Sequence, residues 1–304
     1  MISIIFSFYN EEEVLPVLIK SIREVMLKES EDYELIFVND DSTDNSVQAI
    51  LEQKKISGEE LVVVNMSRRF GVEESFMAGM EVARGDAVIL MYTDMQDPPE
   101  ILHEMIAKWR QGAEIVHTVR RQRIGEHPAK KIAVHYAYKW ITSVSNIKIP
   151  RDSGDFKLLS KRVVSYVRKF NETEPYLRGL IPWVGFTQDS VYYDLQPRTV
   201  GKSKISLFGK KALQVFLSGI FSFSDFPVHL LFFLSAAGFI GTLIALLLFL
   251  FSSGSSHPFS GIIVFVLFLW SMTMMSVSIL GIYVVNIYQN TTGRPRFIIK
   301  EVIR

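Results

Sequence analysis

Apolar and polar positions change period in a regular order along the first 120 residues. Ile2–Phe8 is an apolar run of strand length, after which Leu15, Leu18, Ile19 and Ile22 repeat at helical spacing. Glu34–Val38 predicts a second strand, with Ser42, Thr43 and Asp44 as candidate caps for the helix that follows. Leu61–Val64 is a third strand, and Glu73–Ala83 a third helix stopped near Gly85. Ala87–Tyr92 is a fourth strand, Pro98-Pro99-Glu100 opens a helix running to about Gln111, and Glu114–Val119 is a fifth strand. Strands alternating with helices predict an α/β domain with a mostly parallel sheet covered on both faces. Ligands then belong at the carboxyl ends of the strands. From about Arg120 to Gly201 the pattern is mixed and yields no ordered series of elements.

The pattern changes again beyond Asp225. Residues 226–293 contain no Asp, Glu, Lys or Arg. Val228–Phe251 and Gly261–Tyr288 are both long enough, at about 1.5 Å per residue, to cross a hydrocarbon core of roughly 30 Å. Ser206–Asp225 reads as an amphipathic helix: Leu213, Phe216, Leu217 and Ile220 share a face, with Lys210 and Lys211 near its start. Such a helix suits a headgroup layer, with packing on the soluble part as the alternative. The expected organisation is a soluble domain over residues 1–205 and a juxtamembrane helix over 206–226. A two-helix hairpin over 227–289 (228–251 and 261–288) and a basic tail over 290–304 follow. The link Ser252–Ser260 has no Lys or Arg, whereas the tail carries Arg294, Arg296, Lys300 and Arg304. The charge rule for membrane loops then puts both chain ends in the cytoplasm and the link outside. Ile2–Phe8 is too short for a signal peptide and runs into Glu11, Glu12 and Glu13, which agrees with that orientation.

Composition narrows the chemistry. The chain has 304 residues, a net charge of +1 and no cysteine. Balanced charge argues against a nucleic-acid binder. The absence of cysteine excludes disulfides and thiolate metal sites and fits a reducing compartment. His103, His117, His127, His135 and His257 are scattered without metal spacing. Three acidic clusters instead fall just after strands: Asn10-Glu11-Glu12-Glu13, Asn39-Asp40-Asp41-Ser42 and Asp94-Met95-Gln96-Asp97. One such cluster alone reads as turns and helix caps. Three at equivalent sheet positions point to a site for a divalent cation, ribose hydroxyls or a base edge.

At these residues the chain resembles the GT-A fold glycosyltransferases of family 2, specifically the dolichyl- or polyprenyl-phosphate sugar synthases. The resemblance rests on ordered motifs: Phe8-Tyr9-Asn10-Glu11-Glu12, Val38-Asn39-Asp40-Asp41-Ser42-Thr43-Asp44, Ser67-Arg68-Arg69-Phe70-Gly71, Ala83-Arg84-Gly85-Asp86-Ala87 and Asp94-Met95-Gln96-Asp97-Pro98-Pro99-Glu100. Further on come Val119-Arg120-Arg121, Gly154-Asp155-Phe156-Lys157-Leu158, Leu177-Arg178-Gly179, Trp183-Val184-Gly185-Phe186 and Gly201-Lys202-Ser203-Lys204. The paired C-terminal spans are similar to those of the bacterial bactoprenol glucosyltransferase branch.

The resemblance implies a GT-A (Rossmann-like) domain, an amphipathic interfacial helix and two transmembrane helices. It implies inverting transfer of a hexose, glucose as the first expectation, from a UDP-sugar to undecaprenyl or another polyprenyl phosphate. Tyr9, Glu11, Asp40 and Asp41 would hold the nucleotide. Asp94 and Gln96 would hold Mg²⁺ or Mn²⁺ against the diphosphate, as oxygen ligands suit hard cations. Asp155 and Asp94 are the implied catalytic carboxylates. Arg120, Arg121, Arg178, Arg198, Lys202, Ser203 and Lys204 would bind acceptor phosphate or diphosphate. The implied setting is a bacterial plasma membrane, with a homo-oligomer, a flippase and an extracytoplasmic glycosyltransferase as partners. Three departures stand out: Tyr92 where relatives have Asp, Val72-Glu73-Glu74 where they have a polar residue and small ones, and Lys202 and Ile205 in place of acid and Tyr. A processive polysaccharide synthase and a non-catalytic scaffold with a decayed transferase domain are the rival readings. The first lacks its Gln-x-x-Arg-Trp signature here, and the second has Tyr92 as its only support.

Overall fold

The computed structural model describes residues 1–57, 60–123, 153–170, 172, 175–195, scattered positions within 231–244, and 258–304. In chain order the elements are β1 (Ile2–Phe8), α1 (Leu15–Met26), β2 (Tyr33–Asn39), α2 (Ser46–Ser57), β3 (Leu61–Met66), α3 (Val72–Val82), β4 (Ala87–Tyr92) and α4 (Ile101–Arg110). They continue with β5 (Ile115–Arg123), β6 (Ser153–Ser160), α5 (Lys161–Val167), α6 (Leu177–Trp183), β7 (Gln188–Leu195), α7 (Pro258–Thr291) and β8 (Ile299–Ile303). The expected juxtamembrane helix and Arg198, Lys202, Ser203 and Lys204 lie outside the described residues. So does most of the first expected span.

The strands form one sheet in the order β7-β5-β6-β4-β1-β2-β3-β8. Its centre is parallel, as the alternation of periods predicts: β1 pairs with β2 and β4, and β2 with β3. The sheet as a whole is mixed. β6 is antiparallel to β4 and β5, and β8 is antiparallel to β3. The sequence pattern misses these two strands for different reasons. β6 follows residues 124–152, which show no clear periodicity. β8 is five residues long, with a single-residue alternation broken by charges.

Because the strands are buried on both faces, the side chains divide by parity. Ile2, Ile4, Phe6 and Phe8 of β1 join α1, α2 and α4 in one apolar cluster. Ile5 of β1, with Val38, Val64 and Leu90, packs against α3, α5 and α6 in the other. A polar staple lies at the amino edge. Ser3 Oγ donates to Glu34 Oε1 at 2.6 Å and accepts from the Gly85 amide at 2.8 Å, and the Arg84 amide donates to the same Glu34 oxygen at 2.7 Å. Gly85 is required by this approach: a Cβ there would lie 2.6 Å from the Ser3 nitrogen and 2.7 Å from the Ala87 carbonyl oxygen.

The chain order makes β1 a switch point. β1, β2 and β3 step outward to one side, and the connection through α3 returns the chain to the other side of β1 at β4. The loops after β1, β2 and β4 therefore meet at one carboxyl edge, where such sheets form a crevice.

The C-terminal residues are part of this sheet and not a tail. Ser67 N donates to the Ile298 carbonyl at 3.0 Å, and Asn65 Nδ2 donates to Glu301 Oε1 at 2.8 Å. Met66 pairs with Ile299 and Val63 with Ile303, so β8 enters at the carboxyl edge. Before it, α7 has 34 residues and includes the expected second apolar run. Within α7, Phe268–Thr291 is long and apolar enough to cross a membrane and has none of its apolar window buried.

The Gly85→Ala variant should lose about 1–3 kcal/mol of stability, because both obstructing atoms are backbone. Chemical denaturation of detergent-solubilised protein reads this directly. An unchanged midpoint contradicts the close approach.

Candidate active site

The three acidic loops lie side by side at the carboxyl edge, and each carries backbone strain. Among the described residues, the non-glycine positions with positive φ are Asn10 (54°), Asp41 (64°) and Met95 (57°), one in each loop. Asn and Asp adopt this conformation readily, whereas Met does so at a cost. Such strain concentrates at functional sites.

The first two loops are latched together. The Asn10 amide donates to Ser42 Oγ at 3.0 Å and the Glu11 amide to Ser46 Oγ at 2.9 Å, while the Asn45 amide donates to Glu12 Oε2 at 2.9 Å. Asp40 is 4% exposed and holds the entry to α3, its Oδ1 accepting from the amides of Phe70 at 2.7 Å and Gly71 at 3.2 Å. The Arg69 guanidinium stacks over the Tyr9 ring at 3.8 Å and approaches Asp40 Oδ2 at 3.8 Å. Tyr9 and Asp40 thus meet around Arg69, a neighbour the sequence reading did not assign, and Asp41 follows Asp40 in the same loop.

The third loop is stapled at both ends. At its start, the Tyr92 hydroxyl donates to Asp155 Oδ2. At its end, the Tyr193 hydroxyl donates to Asp97 Oδ1, Arg120 Nε donates to the Tyr193 oxygen at 3.1 Å, and Arg120 Nη2 lies 3.6 Å from Asp97 Oδ1. Between the staples, the Gln96 amide donates to Asp94 Oδ1 at 3.2 Å and turns the loop around Asp94. Asp97 Oδ2 is buried with no hydrogen-bond partner among the described residues. Burial pushes the Asp97 carboxyl up despite the nearby Arg120 charge. Arg120 reaches this position because Gly154 has no side chain: a Cβ there would lie 3.1 Å from its Nη2. Arg121 alternates to the opposite face of β5, where it lies 5.9 Å from the Tyr192 ring centroid.

Asp155 sits beside Tyr92 because β6 runs antiparallel to β4, with Lys157 opposite Leu90. Arg178, from the first turn of α6, grips it with two bonds: Nε to Oδ1 and Nη2 to Oδ2, both 2.7 Å. Burial alone would raise the Asp155 carboxyl, but the Arg178 charge and hydrogen bonds outweigh it and hold the group well below the usual carboxylate range. Asp155 is therefore an anchored anion and a poor proton acceptor. Two further ionisable groups complete the cluster. Lys157 lies two residues along β6 on the same face as Asp155 and is 1% exposed; burial pushes its ammonium down to about 8. Glu73, in the first turn of α3, accepts from the Leu177 amide at the start of α6; burial and then the Asp155 charge push it up to about 8.

Glu73, Lys157, Asp97 and Tyr193 are site residues that sequence reasoning left unassigned. Glu73 was visible as a departure from the family pattern, and the two-residue step from Asp155 to Lys157 in a strand places both on one face. Tyr193 carried no local signal. Asp94 and Gln96, the expected metal pair, share one turn, and their side chains with the unpartnered Asp97 Oδ2 are oxygen donors of the kind a hard cation takes. Among the described residues no group of three or more His, Asp or Glu is arranged to hold a metal by itself. A diphosphate-bound Mg²⁺ or Mn²⁺ ordinarily takes one or two protein carboxylates and fills its shell from substrate and water.

Glu73 makes a pH prediction. In the unfolded chain it titrates near 4.5 and in the fold near 8. The fold holds the extra proton between these values, so the stability from protonated Glu73 is complete below pH 4.5 and is lost as pH rises through about 8. The Glu73→Gln variant should therefore gain in Tm relative to the native chain across that window. A difference that stays constant with pH contradicts the placement.

Comparison with known proteins places the chain in a family. Residues 3–168 match the family described as glycosyl transferase family 2. The chain is 36% identical over 303 residues to the uncharacterized glycosyltransferase YkcC of Bacillus subtilis, covering 98% of this chain and 93% of that one. It is 33% identical to the bactoprenol glucosyl transferase of Shigella phage SfII, covering 99% of this chain and 97% of that one. The prophage bactoprenol glucosyl transferase homolog of Escherichia coli is also 33% identical, with 99% of each chain covered. Among solved structures, glucosyl-3-phosphoglycerate synthase from Mycobacterium tuberculosis, in complex with Mn²⁺, UDP-glucose and phosphoglyceric acid, is 16% identical with a TM-score of 0.48, covering 72% of this chain and 79% of that one. On the matched family and the full-length relatives together, the chain belongs to glycosyl transferase family 2.

Proposed function

We propose that this glycosyltransferase moves a hexose, with glucose as the first candidate, from a UDP-sugar to a polyprenyl phosphate at the cytoplasmic face of a bacterial plasma membrane. The observation that carries the lipid acceptor is the entry point of β8. The chain passes from α7 into β8 at the carboxyl edge of the sheet, the edge that holds Asp94 and Asp155. Seven residues, 292–298, make this link, eight steps from Thr291 to Ile299, so the end of α7 lies within about 29 Å of that edge. A membrane-spanning α7 then turns the site toward the bilayer, where a lipid phosphate resides. The names of the full-length relatives from Shigella phage SfII and Escherichia coli support the same acceptor and sugar.

The fold also supports two crossings. β7 and β8 belong to one sheet, so any crossing by α7 needs a second between residues 195 and 258. The charge-free run 228–251 supplies it. The soluble part then corresponds to 1–205, the interfacial helix to 206–226 and the hairpin to 227–289. The segment 290–304 serves as the strap and strand that return to the sheet.

The reaction proposed is one in-line displacement. A bond forms between an acceptor phosphate oxygen and the anomeric carbon while the bond from that carbon to the UDP oxygen breaks, which inverts the anomeric centre. The acceptor needs no strong base, because a phosphate monoester has its second pKa at about 6 and is largely dianionic at neutral pH. Asp155, fixed as an anion, orients Arg178 at the edge of the site. Arg178 and Lys157 supply positive charge against the repulsion between acceptor phosphate and donor diphosphate. Tyr9, Glu11, Asp40 and Asp41 line the nucleotide side. Mg²⁺ or Mn²⁺ held by Asp94 and Gln96 would neutralise charge on the departing diphosphate. Tyr92 completes the stapling of the metal loop to Asp155, which supports a working site over a decayed one.

Purified protein incubated with undecaprenyl phosphate, Mg²⁺ and a panel of radiolabelled UDP-sugars tests the proposal. It predicts a lipid bearing one sugar. Long polymer points to the processive synthase, and no product with any donor rejects transferase activity. Asp94→Asn should lower turnover by more than about 100-fold with an unchanged Tm. Unaltered kinetics in that variant removes Asp94 from the metal site.

A further inference from the structure

We infer that the exposed aromatic face of α5 and α6 rests on the lipid bilayer surface, giving the catalytic domain a second membrane contact besides the apolar helix. The inference builds on the reading of α7 as a membrane span.

Trp183 is 59% exposed and Tyr166 47% exposed. They belong to one layer: Tyr166 packs on Phe186 with ring centroids 5.5 Å apart, and Phe170 meets Trp183 edge-on at 5.7 Å. Cations cap the layer. The Arg162 guanidinium lies 4.5 Å over Phe186, and Lys169 Nζ lies 5.1 Å from the Tyr166 centroid. Aromatic rings topped by Lys and Arg are the composition of a membrane–water interface, where the rings sit at headgroup depth and the cations reach the phosphates. Among the described residues, Trp183 takes part in none of the hydrogen bonds or ion pairs that build the site, and its ring stands exposed beside Phe170.

The strap ties this face to α7. Arg296 is five steps along the chain from Thr291, the last residue of α7, a reach of at most about 18 Å. Arg296 Nη2 donates to the Arg168 carbonyl at 3.2 Å, at the end of α5. Phe297 joins the apolar cluster that also receives Phe170, Val184 and Phe186. The helix end is therefore tied to this face as well as to the end of β3, where the Ser67 amide meets the Ile298 carbonyl. Arg162 pairs with Glu114 and Arg168 with Glu81, and Arg296 faces Glu81, Glu172 and Glu74, so charge on this face is balanced and the rings, with Lys169 at the Tyr166 edge, carry the lipid contact. The same short helix carries Arg178 in its first turn and Trp183 at its end, about 7.5 Å of helical rise apart. A face seated on lipid thus holds the Asp155–Arg178 pair close to the headgroup layer.

The chain has no native cysteine, so single-site spin labels report without background. Ser165→Cys on α5 and Glu52→Cys on α2, both exposed, are each labelled in the full chain and placed in nanodiscs whose lipids carry chelated Ni²⁺ headgroups. The label at 165 should relax several-fold faster than the label at 52, and adding Tyr166→Ala with Trp183→Ala should abolish the difference at unchanged Tm. Equal relaxation at both positions overturns the inference. So does shielding of position 165 from both lipid-borne and aqueous Ni²⁺, which would mean that a second copy or another segment of this chain covers the face. Sugar transfer measured on the same samples keeps the two readings apart: turnover without contact at 165 rejects the lipid-facing surface alone, and contact without turnover rejects the enzymatic reading alone.

Discussion

The pairing of β8 with β3 sets the geometry on which the functional reading depends. An antiparallel edge strand must start where its parallel neighbour ends. A chain arriving from α7 therefore joins the sheet at the carboxyl edge. That is the edge where β1, β2 and β4 deliver their acidic loops. One backbone register thus links the apolar helix α7 to the orientation of the site. It also covers the β3 edge, which would otherwise expose unpaired amides and carbonyls.

Within the site the organising device is a set of staples on the loop after β4. Tyr92 fastens one end to Asp155, and Tyr193 with Arg120 fastens the other through Asp97. The loop absorbs the constraint as a left-handed Met95, and Asp94 is left at the turn. Asp155 in turn is gripped by Arg178, and the start of α6 is held by Glu73. A buried ion pair is weak support for stability, because desolvating the partners offsets much of their attraction. Its effect here is position: a cationic group held at a fixed point beside the site proposed to take two phosphorylated substrates.

Much of this was legible in the sequence. The parallel core followed from alternating periods, and Ile2–Phe8 and Ala87–Tyr92 were read with their observed ends. The three acidic clusters could be placed at one edge because a strand's carboxyl end can be located from its apolar run alone. What stayed hidden depends on pairing across long separations. Nothing local in Ile299–Ile303 says that it closes a sheet begun over 230 residues earlier. Tyr193 meets Asp97 only because β5 lies between β6 and β7. The departures at Tyr92 and Glu73 looked independent in sequence, yet in the fold both bear on Asp155, which makes them parts of one local solution.

The account stands or falls on α7 crossing the bilayer between residues 252–260 and the strap. Ser255→Cys and Arg294→Cys, introduced singly into the cysteine-free chain, can be probed in intact spheroplasts with a membrane-impermeant maleimide. The account predicts labelling at 255 without lysis and at 294 only after lysis. Labelling of both positions from the same side would show that α7 does not cross, and would contradict the placement of the site against the membrane.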